Sequence, residues 1–320
     1  MLSFPVSTPA CRADHSDEGI LTLSFSIREI ARAAALLLLC ALIAAVRAVA
    51  QSTVPDGPQV GQRGKDVIWV PSTERAAERM LAMAQVGPDD LVIDLGSGDG
   101  RIVIMAAQRF GARALGVELN PELVKLSEQR AKQAGVAARA RFELRDIFET
   151  DLKPATVVTL YLLSELNLRL RPSLLRLAPG TRIVANAFDM GEWEADQFDD
   201  TTPSLLRLWI VPARVSGHWR WSLATGSRMR QLEMELNQQF QRVSGVVSSD
   251  QQHMRLRDAR LRGDDLRFTV LEQQRADVAV RYDYAGRVYE DRIEGEVVIN
   301  ESNNRMRWTA TRKMAGVAAR

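Results

Sequence analysis

At 320 residues the chain is long enough for one large domain or two smaller ones, and its 46% hydrophobic content is that of a globular protein. A formal net charge of +2 carries no whole-chain signal for nucleic-acid binding. Both cysteines, Cys11 and Cys40, precede residue 51, so a chain starting there has neither a disulfide nor thiol chemistry.

Arg28 and Arg32 stand before the apolar run Ala33 to Val46, and Ala48-Val-Ala50 is a small-x-small pattern ahead of Gln51. This is the layout of a secretory signal peptide, and the run is short for a membrane span. Residues 1–50 are therefore expected to export the protein to the periplasm with cleavage after Ala50. The alternative is an uncleaved anchor that keeps a cytoplasmic domain close to the membrane. Residues 51–66, rich in Gly, Pro, Gln and Asp, read as a linker.

Val67 to Val70 is a short extended lead-in. Pro71-Ser-Thr-Glu74 then resembles a helix start, with the helix reaching about Gln85. Leu91-Val-Ile-Asp-Leu95 is a buried strand that breaks into Gly96-Ser-Gly-Asp-Gly100 and opens a helix over Arg101 to Phe110. Ala114 to Glu118 is a second strand. Asn120-Pro121 starts a helix that stops near Ala134-Gly135. Arg141 to Leu144, Thr156 to Tyr161 and Thr181 to Ala185 are further strands, with a Leu- and Arg-rich helix from about Glu165 to Leu177 between the last two. Strand alternating with helix means a parallel sheet covered on both faces. Leu205 to Val211 and Trp219 to Leu223 are expected to complete it as an antiparallel pair.

Beyond about residue 225 the alternation ends. Leu232, Met234 and Leu236 alternate and Phe240 continues the period of two; Leu232, Leu236 and Phe240 also fit a helix, but the strand-like remainder of the tail favours a strand. Leu261 to Phe268 reads as strand, tight turn, strand, and Val278 to Tyr284, Gly286 and Val288 as another hairpin. The expected organisation is an α/β, Rossmann-like domain over 67–224 and a small antiparallel β domain over 225–320.

The chemistry converges on the glycine turn. Its spacing is G-x-G-x-G, not the G-x-G-x-x-G of dinucleotide folds, and Asp94 stands just before it. That combination points to S-adenosylmethionine. The segment Gly96, Ser97, Gly98, Asp99, Gly100 and Arg101 would cradle the cofactor, its amides favouring the methionine carboxylate. Asp94 would accept from the cofactor amino group or from the turn amides. Glu118 would accept both ribose hydroxyls. Asp146 would take the adenine amino group, with Leu119 and Ile147 packing the ring. His218 and His253 stand apart without metal-ligand spacing, so no metal is expected.

Asp94-Leu-Gly-Ser-Gly-Asp-Gly-Arg-Ile-Val-Ile104, Gly116-Val-Glu-Leu-Asn120 and Val157-Val-Thr-Leu-Tyr161 resemble class I S-adenosylmethionine-dependent methyltransferases. More narrowly, the chain is similar to the family that includes the lysine methyltransferases of the ATP synthase c-subunit and of the adenine nucleotide translocase, and to exported bacterial relatives. Val70-Pro-Ser72 matches a segment that helps cover the cofactor there, and Asp189-Met-Gly-Glu-Trp193 matches an Asp-Met-Gly-x-Trp element. The resemblance covers about residues 65 to 222. It implies N-methylation of a protein lysine, hence a protein substrate, and the near-neutral charge gives no reason to expect nucleic acid as partner. It also places Tyr161, Glu165 and Asp189 where substrate groups lie, although Tyr161 also reads as a core ring and Glu165 as a helix N-terminal acid. Small-molecule methylation, or an exported S-adenosylmethionine-binding protein without turnover, are the rival readings.

Overall fold

The computed structural model describes residue 61 and residues 69–225, 228–249, 252–275, 278–300 and 305–313. The expected export or anchor segment, both cysteines, and the linker apart from Gly61 lie outside the described residues.

Each helix of the first half is set by its ends. Thr73 accepts from the Ala76 amide at the start of α1 (Glu74–Met83), which buries Ala77, Met80 and Leu81 on one face. Gly100, at φ 78°, leads into α2 (Arg101–Arg109). Asn120 caps α3 (Pro121–Gln133), with proline in the first turn. The fourth helix, α4 (Ser164–Leu174), ends three residues sooner than expected. Pro172 has no N–H to continue the ladder. The chain then tightens through bonds from Arg176 to Ser173 and from Leu177 to Leu174.

Five parallel strands form most of the sheet: β1 (Leu91–Leu95), β2 (Arg113–Glu118), β3 (Ala140–Leu144), β4 (Val157–Leu160) and β5 (Arg182–Asn186). Two antiparallel strands, β6 (Gln197–Asp199) and β7 (Leu206–Ile210), complete the order β3-β2-β1-β4-β5-β7-β6. Alternate residues of the inner strands β1, β4 and β5 serve opposite cores. Val92, Val157 and Val184 pack with α1 and α2, whereas Ile93, Val158 and Ile183 pack with α4. Double burial is why these strands read as continuous apolar runs.

The expected pairing of Trp219–Leu223 with this sheet is corrected. That segment lies in β8 (Gly217–Thr225), which pairs with β9 (Arg228–Gln239) in a second sheet. The first sheet's edge is supplied by β6, which has a single large apolar residue, Phe198. The second sheet continues through β10 (Arg242–Ser248), β11 (His253–Arg255), β12 (Arg257–Arg262), β13 (Asp265–Arg275), β14 (Val278–Tyr289), β15 (Arg292–Ile299) and β16 (Arg305–Arg312). Its order is β11-β10-β9-β8-β16-β15-β14-β13-β12. The two end strands are separated only by Leu256, whose amide donates to the Gly245 carbonyl. The meander therefore closes into a barrel.

Barrel closure demands close backbone approach. A Cβ at Gly295 would lie 1.9 Å from the Ala285 carbonyl oxygen. The interior is aromatic, with Phe268 stacked on Tyr284 at 4.8 Å and Trp308 edge-on to Tyr284 at 5.0 Å. Gly286 is not a turn, as expected, but lies inside β14, where a Cβ would meet Ile293 and Trp308. The hairpin turns instead at Glu290-Asp291. Phe240 likewise does not continue β9. It sits at the β9–β10 turn with φ 53° and packs into the first domain's core. Both sheets fall within one compact unit.

Candidate active site

Strand order reverses between β1 and β4, and open α/β sheets bind ligands at the carboxyl ends of such strands. A cavity of about 440 Å³ lies there. It is walled by the glycine turn, the ends of β2, β3 and β4, Phe188 after β5, and the segment Trp69 to Ser72.

The turn after β1 is held from several sides. Gly96 and Ser97 amides donate to the Val117 carbonyl. The Ser127 hydroxyl of α3 donates to the Gly98 carbonyl at 2.9 Å. Gly98 has φ 54°, and a Cβ there would lie 2.6 Å from the Trp69 indole nitrogen. Gly96, Ser97 and Gly98 line the cavity, but Gly100 does not. Gly100 faces inward, where a Cβ would collide with Phe142 and Ser127.

Three acids border the same cavity at successive strand ends: Asp94, Glu118 and Asp146. Asp94 is 3% exposed and accepts a 2.6 Å bond from the Thr159 hydroxyl. Burial pushes its carboxyl up to about 7, with the charges of Glu118 and Asp99 adding to the rise and the Thr159 bond opposing it. Glu118 accepts from the Gly98 amide through Oε2 and from the Leu119 and Asn120 amides through Oε1. Asp146 caps the turn Ile147–Glu149 by accepting from the Phe148 amide. Leu119 and Ile147 line the cavity beside them.

Asp99 and Arg101 also line the cavity, yet their charges are engaged with protein. Arg101 and Arg130 both pair with the Asp99 carboxylate. Burial alone would raise the Asp99 carboxyl, but the bonds and charges of these arginines outweigh it and hold it below its ordinary range. Arg101 also donates to the Ser72 carbonyl. The Ser72 hydroxyl accepts from Asn186 of β5 at 3.3 Å. The strap Trp69–Thr73 is thereby pinned to both halves of the sheet. Sequence reasoning missed Trp69 as a wall. Its only signal was an aromatic residue next to the Val70-Pro-Ser72 segment.

The opposite wall is aromatic and apolar. Tyr161 and Phe188 stack at 6.4 Å, and Leu162, Leu163 and Leu166 flank them. Phe188 was not foreseen; nothing in its local pattern distinguishes it from a core residue. Glu165 and Asp189, grouped with Tyr161 in the sequence, do not line the cavity. Glu165 is exposed in the first turn of α4, and Asp189 accepts from the Gly191 amide. Trp193, Trp209, Trp219 and Trp221 are all core residues, each at most 3% exposed.

These residues fit a sulfonium nucleoside. The volume is in the range that encloses such ligands. The turn offers bare backbone, and the buried Ser97 hydroxyl on the lining has no hydrogen-bond partner among the described residues.

The family profile described as "ANTKMT methyltransferase domain" matches residues 94–197. A protein-lysine N-methyltransferase of Saccharolobus islandicus is 43% identical over 129 residues, covering 40% of this chain and 80% of that protein. The mouse ATP synthase C-subunit lysine N-methyltransferase is 37% identical over 129 residues, covering 40% of this chain and 51% of its own. The mouse adenine nucleotide translocase lysine N-methyltransferase is 35% identical over 130 residues, with 40% and 56% covered. The chain thus spans little more than half the length of these two mouse relatives. A solved structure described as an RNA methyltransferase from Salinibacter ruber, bound to S-adenosylhomocysteine, is 47% identical over 46% of this chain and 96% of its own, with a TM-score of 0.45. With the fold, the glycine turn and an archaeal relative matched over most of its length, the chain belongs to the ANTKMT-type family of class I S-adenosylmethionine-dependent methyltransferases.

Proposed function

We propose that this methyltransferase N-methylates lysine side chains of a protein. The observation that carries the reading is the two-sided cavity. One side is the glycine turn with its carboxylates; the other is Tyr161, Phe188 and leucine. S-adenosylmethionine supplies an already activated methyl group, so the chain's task is alignment and exclusion of water. The bare backbone at Gly96 and Gly98 would leave room for the methionine moiety, whose amino group Asp94 would take. The Gly96, Ser97 and Gly98 amides are themselves engaged by Val117 and Glu118. Glu118 would take the ribose hydroxyls, and Asp146 with Leu119 and Ile147 the adenine.

An amine attacks only when it has lost its proton. The aromatic and leucine wall disfavours an ammonium by desolvation, while its ring faces still attract the cation as it arrives. Tyr161 is the polar group we assign to orienting the acceptor nitrogen. The names of the archaeal and mouse relatives support lysine as acceptor.

Methyl-labelled S-adenosylmethionine, incubated with the protein and a cell extract, tests this. Labelled protein that yields methyl-lysine on hydrolysis is expected. Label only in small molecules would favour the small-molecule reading. Binding of S-adenosylhomocysteine with no labelled product would favour a protein that does not turn over.

We also read residues 1–50 as an export segment cleaved after Ala50. Native protein beginning at Gln51 would support that, and an intact N-terminus would favour an anchor. Among the described residues, no helix is long and apolar enough to cross a membrane.

A further inference from the structure

The barrel touches the first domain at Trp193 and Glu194, on the segment that follows the acceptor-wall residue Phe188. At the β9–β10 turn the Phe240 ring stacks on Trp193, with centroids 6.1 Å apart and planes 15° apart. The Arg171 guanidinium lies 5.6 Å from the same ring and donates to the Met190 carbonyl at 2.8 Å. The next two barrel residues grip Glu194: Gln241 donates to its carbonyl, and Arg242 pairs with its carboxylate. The segment so held begins at Ala187, whose φ is 69° and whose carbonyl accepts from Arg207. Its second residue is Phe188, the ring that faces Tyr161 in the cavity.

Two non-glycine residues, Ala187 and Phe240, hold positive φ at the two ends of this arrangement. Such conformations persist only where surrounding contacts over-determine them. The bonds that fix the glycine turn and the strap, by contrast, stay within the first domain.

We propose that the barrel is a brace for the acceptor side of the cavity, and that Phe240 is a positioning residue for methyl transfer. It acts through Trp193 and the segment 187–194 on Phe188, leaving the cofactor side untouched. This rests on the acceptor-wall reading above. A displaced Phe188 misplaces the incoming nucleophile, and small misplacements cost catalysis heavily.

The test uses the full chain as Phe240→Ala, with Phe240→Leu as a milder truncation and Phe240→Trp as the conservative replacement. S-adenosylhomocysteine affinity is expected to stay within about twofold, while labelling of extract protein at saturating cofactor falls by at least about tenfold. Phe240→Trp should recover most of the rate. Amide exchange should quicken in 187–194 and not in 96–101. Unchanged labelling, or a parallel loss of cofactor binding and labelling, would overturn the brace. So would unaltered exchange in 187–194, even if the acceptor proves not to be lysine. A wild-type protein that binds S-adenosylhomocysteine but labels no protein would sink the lysine reading instead, and exchange would then judge the brace alone.

Discussion

Asp94 carries the clearest electrostatic consequence of the site. Its carboxyl is pushed up to about 7 by burial. Between its ordinary value near 3.8 and about 7, the native state keeps a proton that the unfolded chain has released. Stability therefore falls as pH rises through that window. Asp94→Asn removes the buried charge and keeps an acceptor for Thr159. Thermal melts should show a stabilisation that is larger at pH 8 than at pH 5, together with weaker S-adenosylhomocysteine binding at both. At Gly98 the constraint is steric. Gly98→Ala forces a side chain into the left-handed region and against the Trp69 indole. It should cost about 1–3 kcal/mol in chemical denaturation and weaken cofactor binding. Residues of this kind were legible because the glycine spacing and the acids at strand ends are local. Phe188 was not, because its place opposite Tyr161 exists only after β4 and β5 pair.

At the scale of elements, the strap and the barrel wall make separate predictions. Arg101 joins the strap to the turn through Ser72 and Asp99. Arg101→Ala should speed S-adenosylhomocysteine dissociation, read by Trp69 fluorescence in stopped flow, with little loss of secondary structure. Inside the barrel, Arg230 pairs with Glu272, which also accepts from the Tyr282 hydroxyl at 3.0 Å. The Arg230 bond, chiefly, holds the Glu272 carboxyl below its ordinary 4.5. Its stabilisation is present above that value and is lost as pH falls below it. Glu272→Ala should cost about 2–3 kcal/mol at pH 7, and less near pH 3. The helices and parallel strands were legible through caps and double burial. The β6 strand was not, since three residues carry too short a pattern. Gly286 misled because a glycine demanded by crowding resembles one demanded by a turn.

The whole molecule behaves as one packed body over the described residues. Gly263 of the β12–β13 turn lies so close to Gly180 of the first domain that an added Cβ would meet it at 3.1 Å, and Phe240 enters the first domain's core. Calorimetry should show a single transition with matching calorimetric and van't Hoff enthalpies; two resolved transitions would refute this coupling. Hairpin succession in the C-terminal half was readable from alternation and turns. The pairing of β16 with β8 was not, because it joins residues far apart in sequence, and no local pattern encodes such a seam.

That seam has a consequence for association between copies. Closing the meander leaves few unpaired amides and carbonyls along its flank, so a second chain finds little strand there to extend. Among the described residues, β3 and the three-residue β6 terminate the first sheet, while β11 and β12 end the second and are joined through Leu256. Fibrous growth by strand addition would begin most readily on the first sheet's margins, β3 or β6.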